Sequence, residues 1–255
     1  MVGSQPNSSH AIVLRQIIYG ESDLIVSMLS AEHGIIRGFA HGGRRSVKRF
    51  GSALAPFSSI DVRWQASRSD LLTFLDADLC CAREALRHSA LRLGLAYYGV
   101  ELLEMLLNPG ESQPHFFRLL QGYLDALAED QNPRQARLLF ELRLVQQLGY
   151  IPHLLHCSDC FVQFNHTPVA FDPARGGSLC PACAKDTQTL HVALGTLGSL
   201  SRALHTEIGL FRGFKLGERT LDEGAMILAQ VLTNILPRQS KSLRFLAQIT
   251  SFDAS

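Results

Sequence analysis

Ala11-Ile12-Val13-Leu14-Arg15-Gln16-Ile17-Ile18, then Tyr19-Gly20-Glu21-Ser22-Asp23, then Leu24-Ile25-Val26-Ser27-Met28-Leu29: a β-rich run, a turn and a second run decide how the opening of this chain folds. A tight turn at Glu32-His33-Gly34 leads into a third strand over 35–40. Residues 57–64 alternate, with Phe57, Ile60 or Val62, and Trp64 as apolar positions. A turn over 67–70 precedes a fifth strand over 71–75. Five short strands in about 70 residues, with the longest connection after the third, suggest a small closed barrel of the OB type. An incomplete sheet packed on helices is the alternative.

Beyond Ala82 the period changes to that of helices. Residues 83–107 are apolar almost all round and read as one central buried helix, ended by Asn108-Pro109-Gly110. A second helix is expected over 113–128. Asn132-Pro133-Arg134-Gln135 reads as an N-cap, a proline at the first helical position and a glutamine that completes a capping box. That helix runs to Leu148 and stops at Gly149. Further helices are expected over 193–205, 221–236 and 240–249.

Four cysteines interrupt this helical region. Cys157-Ser158-Asp159-Cys160 and Cys180-Pro181-Ala182-Cys183 are two Cys-x-x-Cys turns with 19 residues between them. Each turn aims two sulfurs at one centre, and the double spacing fits a four-thiolate structural zinc site, one per chain. Such a site is closed and leaves no position for substrate. Pro168, Pro173, Gly176 and Gly177 suggest turns around a short hairpin between the pairs. Disulfides or free thiols are the competing readings. The polar stretch 1–10 has no apolar signal region, so the chain reads as cytoplasmic, where thiols stay reduced. His153, His156 and His166 stand near enough to compete as ligands, but four cysteines already satisfy zinc. Cys80 and Cys81 lie in an apolar stretch and read as buried thiols. The fold class is therefore α+β and multi-domain: residues 1–10 a flexible tail, 11–80 an OB-type β-barrel, 81–152 and 188–255 an α-helical domain, and 153–187 an inserted zinc module.

The chain has 255 residues, is 46% hydrophobic and 18% charged, and has a net charge of +1, so attraction to nucleic acid would have to come from clustered charge. Such a cluster exists. Arg37, Arg44, Arg45, Lys48 and Arg49 fall within 13 residues with no acid among them. Gly38, Gly42 and Gly43 interleave and would let the backbone approach a ligand. Phe39 and Phe50 flank the stretch and read as core or rim residues rather than base stackers. On a small barrel this is the composition of a single-strand-binding groove. A solvated loop with no partner is the plainer reading. The apolar stretch 86–107 carries Arg87, His88, Arg92, Glu101 and Glu104 and does not span a membrane.

Motifs for catalysis are missing. No phosphate-cradling Gly-rich Lys-Ser/Thr loop, His-Glu-x-x-His or Gly-x-Ser-x-Gly occurs. A zinc deaminase needs His-x-Glu ahead of its cysteines, whereas His205-Thr206-Glu207 follows them and reads as helix-end polar residues.

Tyr19-Gly20-Glu21-Ser22-Asp23, Glu32-His33-Gly34, Gly38-Phe39-Ala40-His41-Gly42-Gly43-Arg44-Arg45, Arg49-Phe50 and Leu54-Ala55-Pro56-Phe57 together resemble the N-terminal domain of RecO, the bacterial recombination mediator family. The resemblance continues through Leu148-Gly149-Tyr150-Ile151-Pro152 into the first cysteine pair, and through Phe171-Asp172 and Gly176-Gly177 to the second. It implies an OB-fold domain, a helical domain and a zinc module. It implies binding to single- and double-stranded DNA and annealing of complementary strands. RecR and the single-strand-binding protein would be partners, and RecA would be loaded through them. Not every member of the family keeps four cysteines; this chain does. Carried over, Arg37, Arg44, Arg45, Lys48 and Arg49 fall on the DNA-binding face. The expected function is a non-catalytic, nucleoid-associated mediator. A metal-dependent nucleic-acid enzyme and a protein-only adaptor with a peptide-binding barrel are the alternatives.

Overall fold

The computed structural model describes residues 6–67, 71–129, 131–150, 152–185 and 190–252. Five strands, β1 (Asn7–Tyr19), β2 (Asp23–Ser30), β3 (Gly34–Ala40), β4 (Ser59–Gln65) and β5 (Leu72–Cys81), close into a barrel in the order β1-β2-β3-β5-β4. All neighbours are antiparallel except β3 and β5, which meet in parallel at Gly38–Leu72 and Phe39–Thr73 and close the cylinder. That order is the OB arrangement expected from the strand spacing.

β4 shows the cause plainly: Ile60, Val62 and Trp64 point inward while Asp61, Arg63 and Gln65 face solvent, the period of two that a half-buried strand requires. β1 reads differently because both its faces are covered. Ala11 and Val13 join the barrel interior, whereas Ile12 and Leu14 pack outward on the helices, and all four are fully buried.

β1 begins at Asn7, inside the stretch expected to be a tail, because residues 7–12 pair with β4. Residues 1–5 lie outside the described residues. β5 runs six residues past the expected end at Leu75, and residues 68–70 of the expected turn are outside the described residues. Phe57 is not part of β4. It adopts a left-handed conformation (φ 71°) ahead of the strand and puts its ring 4.8 Å from that of Tyr97, outside the barrel.

The expected helix over 83–107 is two elements. A 3-10 turn (Glu84–His88) is followed by α1 (Ala90–Leu106), whose N-cap Ser89 accepts from the Arg92 amide. The break comes at the extended Ser89, and Arg83, held at φ 48°, stands outside the helix ahead of the 3-10 turn. α2 (Pro114–Ala128), α3 (Pro133–Gln147), α4 (Leu194–Leu204), α5 (Glu218–Ile235) and α6 (Lys241–Phe252) complete the helical half. Asn132 caps α3 as expected, accepting from the Arg134 and Gln135 amides. Gln135 does not complete a capping box, because its Oε1 accepts instead from the Leu216 amide 3.1 Å away.

Between α3 and α4, β6 (Val169–Asp172), β7 (Gly177–Leu179) and β8 (Leu190–Val192) form a sheet in the order β7-β6-β8. β6 and β7 are the expected hairpin. β8 comes from beyond residue 187, and residues 186–189 are outside the described residues. Among the described residues, no helix is long and apolar enough to cross a membrane.

Candidate nucleic-acid interface and metal centre

The connection from β3 to β4 turns its apolar side chains inward and its cations outward. Phe50, Ala53 and Leu54 pack into the barrel interior. Arg37 on β3 and Arg44, Arg45, Lys48 and Arg49 on the connection are all exposed. Among the described residues none of the five is in an ion pair. Two are held by backbone oxygens: Arg44 donates to the Glu21 carbonyl at 3.0 Å and Arg49 to that of His41.

One carboxylate organises the loop. Asp23 Oδ1 accepts from the Gly42 amide at 2.8 Å, and Asp23 Oδ2 lies 3.0 Å from His41 Nδ1. The Gly42 amide and then His41 hold the Asp23 carboxyl below its ordinary range. Asp23 was legible only as a turn residue; its bond to an amide nineteen residues away carried no sequence signal.

Aromatic rings lie alongside the cations. Tyr19, more than half exposed, meets Phe39 edge-on at 5.3 Å, and Phe39 stacks on His41 at 5.6 Å with 8° between planes. Phe50 is buried, and Phe39 is a half-buried rim residue. The glycines serve the fold more than a ligand. A Cβ at Gly38 would stand 2.6 Å from the Leu72 carbonyl oxygen across the β3–β5 seam, so Gly38 is where the barrel closes.

The second site is the cysteine cluster. All four Sγ atoms of Cys157, Cys160, Cys180 and Cys183 lie within 4.8 Å of one another, and those of Cys160 and Cys180 are 3.7 Å apart. Metal–sulfur bonds of about 2.3 Å in a tetrahedron put sulfurs about 3.8 Å apart, so the geometry can hold a metal ion. Burial pushes the Cys157 thiol up, but the amides of Cys160, Cys180 and Asp159 bring it down to about 6. Its neighbours, Cys180 first, push Cys183 up to about 12. A cation removes that conflict by stabilising all four thiolates together.

Arg175 staples the two turns, donating to the Cys183 carbonyl at 2.6 Å and pairing with Asp159. Nothing local in the sequence marks it, because its partners Asp159 and Cys183 lie 16 and 8 residues away. The nearby histidines stand apart from the sulfurs: His153 Nδ1 and His156 Nε2 are 2.7 Å apart, and both rings pack on Phe161. Cys80 and Cys81 are exposed rather than buried, because they lie on the outer end of β5. His205 is the C-cap residue of α4, as expected.

Comparison with known proteins agrees across both halves. The family "Recombination protein O N terminal" matches residues 6–82, and "Recombination protein O C terminal" matches residues 87–244. "DNA repair protein RecO" of Syntrophotalea carbinolica is 44% identical over 248 residues, covering 97% of this chain and 96% of its own length. The protein of the same name from Anaeromyxobacter sp. is 37% identical over 242 residues, covering 93% of this chain and 94% of its own. That of Geobacter metallireducens is 34% identical over 241 residues, covering 94% and 97%. With the barrel, the helical half and nearly the whole length matched, the chain belongs to the RecO family of recombination proteins.

Proposed function

We propose that this protein is a non-catalytic, DNA-binding and strand-annealing mediator of recombinational repair. It acts in the cytoplasm, at the nucleoid, with RecR and the single-strand-binding protein to load RecA. The observation that carries the reading is the set Arg37, Arg44, Arg45, Lys48 and Arg49, exposed together on a closed barrel with none of them in an ion pair among the described residues. Charges already paired within a protein have little to offer a phosphate; these do. Each phosphate they neutralise releases counterions, and the weak, exchangeable contacts let two strands approach and search for register. Tyr19, more than half exposed, supplies a stacking face that accepts any base.

Measuring single-strand affinity against salt tests this. The double substitution Arg44→Ala and Arg45→Ala should flatten the slope of log K against log salt by about 1.4, at about 0.7 per lost contact. An unchanged slope would remove the barrel face from the mechanism.

The cysteine cluster is read as one structural zinc per chain, with Cys157, Cys160, Cys180 and Cys183 as its ligands. Four thiolates make a closed shell, so the metal would brace the β6–β7–β8 sheet rather than act on a substrate. The tail of the single-strand-binding protein, acidic and apolar, needs a greasy pocket with a basic rim. A cleft of about 570 Å³ among α1, α3, α5 and α6 supports that docking: Leu232, Leu236 and Leu243 line it and Arg244 stands at its rim, while Arg137 and Arg238 beside it are engaged by Glu141 and Glu101.

A further inference from the structure

On the outer wall of the barrel, away from the cysteine cluster, three metal-binding side chains converge. His10 on β1 and Asp61 on β4 are direct cross-strand partners, with His10 Nδ1 2.9 Å from Asp61 Oδ1. Cys80 on β5 approaches the other side of the same carboxylate, its Sγ 3.5 Å from Asp61 Oδ2. A bulge aids this approach. Ser59 faces Cys81 and Ile60 faces Leu79, so Cys80 is the extra, unpaired residue of the ladder, the kind of position that re-aims a side chain. The His10 ring is oriented from the other side, edge-on to Phe117 of α2 at 5.5 Å. One ligand atom from each residue lies within 4.8 Å of the other two.

The donor set is one nitrogen, one oxygen and one sulfur. Calcium and magnesium select all-oxygen sets, whereas zinc accepts all three donor types. Bonds of about 2.0–2.3 Å in a tetrahedron require ligand atoms about 3.3–3.8 Å apart, which small rotamer changes reach from the observed positions. Asp61 is 67% exposed and His10 34%, so water can reach a fourth position.

We propose that His10, Asp61 and Cys80 form a second zinc site, three-ligand and exchangeable, that ties β1, β4 and β5 together beneath α2. On binding, the Cys80 S–H bond breaks, a S–Zn bond forms and the proton leaves to solvent. Three ligands and an open face make it weaker than the four-thiolate site and the first to yield to a chelator.

The test uses the purified full chain, Zn²⁺ alone and a competing chromophoric chelator. The wild type should take up about one zinc per chain more than either Cys80→Ser or His10→Ala, whatever the cysteine cluster holds. In parallel, iodoacetamide labelling followed by mass spectrometry should show Zn²⁺ slowing modification of Cys80 about tenfold. Cys81, exposed beside it, serves as the unprotected control. Equal zinc uptake by wild type and both variants, or equal labelling of Cys80 and Cys81 with and without Zn²⁺, would overturn the proposal.

Discussion

Arg83 is where the barrel and the helices meet. It is a non-glycine residue in the left-handed region, a conformation that costs about 1–3 kcal/mol, and its side chain is almost wholly buried. Three contacts offset the cost: its guanidinium donates to the Phe57 carbonyl at 2.7 Å, to Ser59 Oγ at 2.9 Å, and to Asp125 of α2 at 2.7 Å. The first two partners precede β4 or begin it, and the third lies on α2. Arg83→Ala would leave buried acceptors unpaired and should lower stability by about 2–4 kcal/mol. Arg83→Lys should recover less than half, because an ammonium cannot reproduce the fork. Trp64, the only tryptophan, sits in the barrel interior and reports on the barrel, while far-ultraviolet circular dichroism reports on the helices. In urea the two signals should coincide for the wild type and separate for Arg83→Ala; coincidence in both would mean that Arg83 does not couple the halves.

At the scale of elements, α6 depends on one buried carboxylate. Glu101 of α1 accepts from the Ser242 amide at 2.8 Å, the Lys241 amide at 3.0 Å, Ser240 Oγ at 2.8 Å and Arg238 at 2.9 Å, so it closes the N-terminus of α6 as a detached cap. Burial raises its pKa, but these bonds prevail and lower it from 4.5 to about 2. A carboxylate depressed in the folded state stabilises fully above its unfolded value, so the contribution is present above pH 4.5 and fades as pH falls toward 2. Glu101→Gln should cost about 2–3 kcal/mol at pH 7 and remove this group's share of the stability loss between pH 4.5 and 2, read by chemical denaturation at each pH. A variant as acid-sensitive as wild type would place the titration elsewhere. What was legible in the sequence was local. The alternation of Ile60, Val62 and Trp64, the cap at Asn132-Pro133 and the paired cysteines each state their structure within a few residues. Arg83, Glu101 and Arg175 were not legible as anchors, because their partners are distant in the chain and are brought to them only by the fold. Cys80 and Cys81 misled for the same reason: an apolar neighbourhood in sequence became the outer end of a strand in space.

For the whole molecule, the two candidate sites belong to different cores. The barrel cations ride on one hydrophobic cluster, and the cysteines on a small one of Cys157, Ala170, Leu179 and Cys180. Stripping metal with a strong chelator from the Cys80→Ser chain, which leaves only the cysteine cluster to hold it, should therefore loosen residues around β6 and β7, seen as faster amide exchange there, while far-ultraviolet helicity and single-strand affinity change less than twofold, about 0.4 kcal/mol. Global unfolding on chelation would refute that separation. The Glu101 cap has a last consequence, for synthesis. Its partner Lys241 lies 140 residues further on, and at ribosomal speeds the wait is on the order of ten seconds. Through that interval a carboxylate destined for burial must remain hydrated, so this face of α1 stays wet and open. Only when α6 emerges can its amides take over from water, so the cleft beside it acquires its walls after α1 to α5 have been made.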